Sequence, residues 1–351
     1  MQIAIVDTLT LSLNDSVYGH FPKVTLQLCD ALSKRFDVAV VAGSTYKKYF
    51  DESKLETLPY FITKADFDSK SFFIKVKTKV KSFVNTISVL RNKKYDVLIF
   101  HDNNQSLLYF LLVFFKPTQH IILIRYTRNK AGATAFLYQS IKSKLSFIIT
   151  SLDSVSNSYS NDTLIIPDYL PTDEFSDSLP DPLYDLVIAG TISACKDIED
   201  VLTSVFNSNL TVKVAGHFEN EDRYKALKVK YENCNRIMIE NKYLSEVEYS
   251  DLLRLGQFVL LPYKTDSYTN RSSGVILDAV YRGKPVIGSN IEAFEVIKTH
   301  NIGFVYNSSL AEVLSQIELC DYKGLLHAVT EYRATLKDSM NSLLNKIDSL
   351  N

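Results

Sequence analysis

The chain of 351 residues is 46% hydrophobic and 12% aromatic, enough apolar side chain for two domain cores, which excludes an intrinsically disordered protein. Its 39 basic and 40 acidic residues nearly cancel, so no global field recruits nucleic acid and any anion binding must be local. Cys29, Cys195, Cys234 and Cys320 lie far apart, with neither CxxC spacing nor a histidine cluster. That disfavours a structural zinc site or a secreted disulfide framework and points to a reducing cytoplasm.

The opening MQIAIVDTL has neither the basic flank nor the apolar length of a signal peptide. Short apolar runs then alternate with longer helical patterns, the signature of parallel sheets with crossover helices. In the first half the strand candidates are IAIVD (3–7), DVAVVA (37–42), DVLIF (96–100), HIILI (120–124), FIIT (147–150) and TLIIP (163–167). Helical patterns over 23–36, 72–90 and 133–145 separate them. LLYFLLVFF at 107–115 is about half of the roughly 20 residues that a bilayer-crossing helix needs, and reads as a buried helix.

Between 70 and 94, Phe73, Val76, Val80, Phe83, Val84 and Ile87 share one helical face, and Lys75, Lys77, Lys79 and Lys81 surround it. Such a helix either lies on an anionic membrane surface or packs on a core with its lysines solvated.

The alternation stops at IPDYLPTDEFSDSLPDPLYD (166–185), rich in proline and acids, which marks a domain boundary. A second series follows: DLVIAG (185–190), TVKVAG (211–216), RIMIE (236–240), FVLLP (258–262), PVIG (285–288) and GFVY (303–306). Ser245 and Glu248 have capping-box spacing at the start of a helix that ends near Gly256. The expected architecture is α/β, two Rossmann-like domains facing across a cleft, over 1–175 and 176–330, with a C-terminal helix at 331–351 packing back on the first.

TNRSSG, after FVLLPY, runs into a helix whose inner face is Val275, Ile276, Ala279 and Val280, and that helix ends in Gly-Lys-Pro. Free N–H groups at such a helix start, with the macrodipole behind them, favour a phosphate or carboxylate, and Ser272, Ser273 and Gly274 let it come close. An ordinary serine N-cap is the alternative. Lys196, before the helix at 198–206, is placed to neutralise a phosphate from the opposite side, or else faces solvent.

GTISACKDIEDVL, VKVAG, YLSEVEYSDLLRLGQFVLLPY, SSGVILDAVYRGKPVIGS and AFEVIKTHNIGFVY together resemble the nucleotide-binding half of the GT-B glycosyltransferases. More narrowly they are similar to the family of sucrose synthase, glycogen synthase and bacterial cell-surface polysaccharide transferases. IIPDYLPTDEF resembles that family's linker motif. The resemblance is close over the second half and looser over the first.

The resemblance implies roles. That family carries two glutamates, one on the donor sugar and one on the nucleotide ribose; Asn270 and Asp278 stand at these positions, so the first has lost its charge. The family's paired Arg and Lys at the diphosphate become Thr191 and Lys196, with Arg271 as a substitute cation. Tyr243, in NKYLS, matches the segment bordering the base. In the first half, Gly19 and His20 match the glycine-containing loop that closes over the donor. A histidine after such a glycine is the general base of inverting members, and Asp102 is placed to orient it. Retaining members instead place a histidine where His101 stands, against the donor sugar.

The resemblance therefore implies a glycosyltransferase using a UDP- or GDP-sugar, with no metal and no other cofactor, acting on a glycan or lipid-linked glycan acceptor. An anionic membrane is a candidate partner through 70–94; nucleic acid is not. Two other readings stay open: a nucleotide-sugar 2-epimerase, which normally presents more acids around the sugar, and a noncatalytic nucleotide-sugar-binding protein.

Overall fold

The computed structural model describes residues 1–13, 16–17, 21–101, 105–126, 132–151, 153–167, 181–265 and 274–350. The chain divides into two compact units, Met1–Thr172 with Lys337–Asn351, and Asp173–Leu336.

The strands of the first unit are β1 (Gln2–Val6), β2 (Leu11–Leu13), β3 (Ser16–Val17), β4 (Asp37–Ala42), β5 (Leu55–Thr57), β6 (Ile62–Thr63), β7 (Val97–Phe100), β8 (His120–Arg125), β9 (Phe147–Thr150) and β10 (Thr163–Ile165). Its helices are α1 (Phe21–Leu32), α2 (Lys64–Asp68), α3 (Phe72–Arg91), α4 (Gln105–Phe114), α5 (Ala133–Ile141) and α6 (Asp153–Ser156). Seven of the strands form a parallel sheet in the order β10-β9-β8-β7-β1-β4-β5. A strand buried on both faces needs a continuous apolar run, and β1 shows the division of labour. Ile3 and Ile5 face Leu28 and Leu32 of α1, while Ala4 and Val6 face a second layer with Leu90 of α3, Leu112 of α4 and Ile141 of α5.

The second unit contains β11 (Tyr184–Ala189), β12 (Val212–Gly216), β13 (Ile237–Asn241), β14 (Gly256–Leu261), β15 (Val286–Ser289) and β16 (Gly303–Tyr306). Its helices are α7 (Ile198–Phe206), α8 (Glu221–Lys230), α9 (Glu246–Leu255), α10 (Gly274–Tyr281), α11 (Glu295–Thr299) and α12 (Leu314–Leu319). A last helix, α13 (Tyr322–Asp348), begins in this unit with Leu325 in its core and ends in the other, where Leu343, Leu344 and Ile347 are buried. The sheet is parallel in the order β13-β12-β11-β14-β15-β16, the Rossmann arrangement.

Every strand candidate is a strand of one of these two sheets, with ends shifted by at most two residues. The capping box forms: Ser245 Oγ accepts from the Glu248 N–H and the Glu248 carboxylate accepts from the Ser245 N–H. Gly256 is no left-handed cap, since its φ is −81°. It is glycine because a Cβ there would sit 2.5 Å from a methyl of Val187 on the neighbouring strand. Gly283 does take a left-handed φ of 66° and ends α10; the Lys284 N–H then reaches the Ala279 carbonyl and the Gly283 N–H that of Val280, a Schellman closure. That is what Gly-Lys-Pro does.

Two helical expectations need correction. The segment 107–115 lies mostly in α4, which is buried along one face only, with Leu108, Leu111 and Leu112 inside and Phe110 and Phe114 exposed. In α3 the sides are reversed from a simple core helix: Thr78, Ser82, Asn85 and Thr86 are buried, while Phe73, Val76, Val80 and Phe83 are exposed. Asn85 explains the turn inward, because its side chain accepts from the Tyr60 N–H at 3.0 Å and donates to the Tyr60 carbonyl at 2.8 Å, pinning the segment before β6. Among the described residues no helix is long and apolar enough to cross a membrane, and the four cysteines are free thiols.

Candidate functional site

In the second sheet β11 lies between β12 and β14, so the strand order reverses there, and open α/β sheets bind ligands outside the carboxyl ends at such a point. The loops that leave β11 and β14 are stitched together. Lys196 and Tyr263 form an antiparallel bridge, the Asp197 N–H donates to the Pro262 carbonyl at 2.6 Å, and the Lys264 N–H donates to the Cys195 carbonyl at 2.8 Å.

Lys196 is 3% exposed, and its ammonium donates to the Ala189 carbonyl at 3.1 Å with the Tyr263 ring 5.6 Å away. Burial lowers its pKa to about 8. One N–H is spent on Ala189, and the other two are not taken by any described residue. Arg223 of α8 holds the loop in place: it donates to the carbonyls of Ser193 and Lys196 at 2.9 and 2.8 Å and pairs with Glu199. Thr191, on the same loop, is exposed.

Two glycines shape the floor. Gly190 has a φ of 86° at the end of β11, and a Cβ on Gly216, at the end of β12, would fall 1.8 Å from the Gly190 carbonyl oxygen. The two backbones touch where any side chain would separate them.

Gly274 opens α10. One turn on, Asp278 is buried; it accepts from the Tyr249 hydroxyl at 2.9 Å and lies 3.6 Å from Arg282 Nη1. Burial and then the Asp278 charge push the Tyr249 hydroxyl well above its ordinary pKa, so it remains a donor. Tyr243 follows β13, is 80% exposed, and stacks on His217 with ring centroids 4.2 Å apart and planes 15° from parallel. That pair offers a flat π surface beyond the ends of β12 and β13.

The first sheet has its own reversal, at β1 between β4 and β7. His101 follows β7 there, its N–H on the Val6 carbonyl at 3.0 Å. The imidazole is buried, with Nε2 2.7 Å from Thr25 Oγ1 and the Phe21 ring edge-on at 5.4 Å. Asp7, at the end of β1, accepts from the Tyr46 hydroxyl at 2.9 Å. Gly19, His20, Asp102, Asn270, Arg271, Ser272 and Ser273, and most of the linker motif, lie outside the described residues. Among the described residues no three His, Cys, Asp or Glu side chains converge on a metal position.

Sequence reasoning placed Lys196, Gly274 and Asp278 in the second unit and His101 in the first. It missed Thr25, Arg223, Tyr249, Tyr263 and His217, whose parts depend on contacts between distant segments. His217 alone had a local signal, as a histidine directly after the VKVAG strand.

No protein-family model and no curated protein sequence matches the chain. Solved structures do. A glycosyltransferase from Rickettsia africae is similar with a TM-score of 0.73 at 14% identity, over 99% of this chain and 98% of its own. Sucrose-phosphate synthase from Thermosynechococcus elongatus gives 0.67 at 13% identity over the same shares. Anabaena HepE in complex with UDP gives 0.66 at 14% identity, over 99% of both chains. The chain has the GT-B glycosyltransferase fold.

Proposed function

We propose that the chain is a glycosyltransferase that moves a sugar from a UDP- or GDP-sugar to a glycan or lipid-linked glycan in cell-surface polysaccharide synthesis, with retention of configuration. Lys196 carries the reading. An ammonium buried at the switch point, held by a backbone carbonyl and with two donors to spare, suits an anion that arrives from solvent and brings its own compensating charge. A nucleoside diphosphate is such an anion, and the similar HepE structure holds UDP.

In this reading the acceptor hydroxyl attacks the anomeric carbon, the bond from that carbon to the β-phosphate oxygen breaks, and the electron pair leaves on the nucleoside diphosphate. In the retaining case the hydroxyl proton passes to the departing phosphate. Lys196 and the start of α10 at Gly274, with Ser272, Ser273 and Arg271 before it, stabilise the charge that develops, so the reading assigns no metal and no cofactor besides the donor. Asp278 and Tyr249 border the ribose, Thr191 the diphosphate, Tyr243 and His217 the base, and Asn270 and His101 the sugar, with Gly19 in the closing loop. Neutral Asn270, in place of a glutamate, favours one second reading: inversion, with His20 as base and Asp102 orienting it. A lipid-linked acceptor puts the reaction at the cytoplasmic membrane face.

Calorimetric titration with UDP and GDP tests the site. The reading expects one of them to bind and Lys196→Ala to weaken it by about 1.5–3 kcal/mol, the scale of a charge-assisted hydrogen bond. Equal affinity in the variant would put the diphosphate elsewhere.

A further inference from the structure

The helices α3, α4 and α5 pack side by side on one face of the first sheet, α3 against α4 and α4 against α5. Their inner sides are core. Their outer sides are not what a solvated layer shows: Phe73 is 82% exposed, Phe114 70% and Phe136 73%, and Val76, Val80 and Phe110 are exposed as well. From Ser71 to Lys77 every residue is exposed, so the first turns of α3 stand clear of the unit that carries them.

Charge on this layer has one sign. At the chain's frequency of 40 acidic residues in 351, helices of this combined length would carry about four; α3, α4 and α5 carry none. Asp66 and Asp68 on α2, which packs against α3, are paired with Lys81 and Lys64. Lys75, Lys77 and Lys79 make no ion pair among the described residues. A second copy of the chain is a poor occupant, because the same face on the partner would oppose lysine with lysine. Lysines around exposed phenylalanine and valine suit a surface that is anionic above and apolar below.

We propose that the outer face of α3, α4 and α5 docks on an anionic lipid bilayer, with Phe72, Phe73 and Val76 entering the interface first and Lys75, Lys77 and Lys79 on the headgroups. The sequence pointed to α3 alone, and by a face that includes the half-buried Val84 and Ile87. The docking surface is wider: it takes in α4 and α5 and leads with the free end of α3. The proposal is independent of the donor chemistry, since docking needs no nucleotide.

Sedimentation with vesicles tests it, using phosphatidylcholine alone and phosphatidylcholine mixed with phosphatidylglycerol. The native chain should sediment with the mixed vesicles and much less with the neutral ones, and added salt should release it. Replacing Lys75, Lys77 and Lys79 with Gln should weaken binding about a hundredfold, from the roughly fivefold that each surface lysine contributes. Phe73→Ser with Phe114→Ser should weaken it at least about tenfold, since each gives up apolar area buried in the interface. All five positions are exposed, so circular dichroism should report an unchanged fold. Equal binding to neutral and anionic vesicles, native binding by either variant, or no vesicle binding together with self-association that the Phe73→Ser, Phe114→Ser pair abolishes, would each overturn the proposal.

Discussion

Lys196 Nζ lies 3.1 Å from the Ala189 carbonyl oxygen, so the cation proposed for the diphosphate is folded back on the end of the strand that precedes it. Burial puts its pKa at about 8, against the ordinary 10.5. Below pH 8 the ammonium is charged and available; above it the free protein loses the proton that a diphosphate would need. Nucleotide affinity should therefore be flat near pH 7 and fall as pH rises through 8, by up to about tenfold per unit. Lys196→Met should bind weakly at every pH and lose that dependence in calorimetry.

The same shift has a stability consequence of opposite sense. Because the folded pKa is depressed, the unfolded chain binds more protons between pH 8 and 10.5, and stability should rise with pH across that window. Lys284, which burial and then Arg254 also bring to about 8, contributes in the same direction. Urea titrations at pH 7 and 10 should show Lys196→Met losing part of the rise and retaining the part that Lys284 supplies.

Gly216→Ala should be among the most damaging single changes in the second unit. The added methyl would meet the Gly190 carbonyl at 1.8 Å, a backbone group that cannot swing aside as a side chain could, at a φ of 156° that side chains avoid. A loss of more than about 3 kcal/mol is expected, as strain and overpacking combine. Chemical denaturation reads it directly.

The strands were legible because a parallel strand buried on both faces is written as an unbroken apolar run, as in IAIV and FVLL. Strands β2, β3, β5 and β6 have two or three residues each and leave no period to read. The amphipathicity of α3 was visible, but not which side faces the protein: Asn85 turns that side inward through hydrogen bonds to Tyr60, a partner 25 residues away. In the site, Lys196 could be marked as a candidate from its place before a helix, but not its burial, which comes from contacts with Ala189 and Tyr263. Arg223 and Tyr249 could not, since each acts on a residue from another loop or helix.

Tyr249→Phe should cost about 1.5–3 kcal/mol of stability, the range for a hydrogen bond to a charged group, because the Asp278 carboxylate stays buried with one donor fewer. If Asp278 also borders the ribose, nucleotide affinity should fall in the same variant. Thermal melts with and without nucleotide separate the two effects.

His101→Ala should lower kcat/KM roughly a hundredfold if the histidine positions the donor sugar, and Thr25→Val, which removes the 2.7 Å contact, should lower it less. In the inverting alternative, His20→Ala should lower kcat by roughly 10²–10⁴ with donor affinity kept. Proton NMR of the new linkage decides between them: a retained anomer with an unimpaired His101→Ala protein would remove the assignment of His101.

Transfer from a nucleotide sugar leaves a free nucleoside diphosphate behind. The most direct measurement is phosphorus NMR of the protein incubated with UDP-, GDP-, ADP- and dTDP-hexoses, with water as the slow acceptor. One donor should convert to its free nucleoside diphosphate, and Lys196→Met should slow the conversion. A donor that is bound but left intact, or whose sugar is isomerised with the diphosphate linkage unbroken, would contradict it.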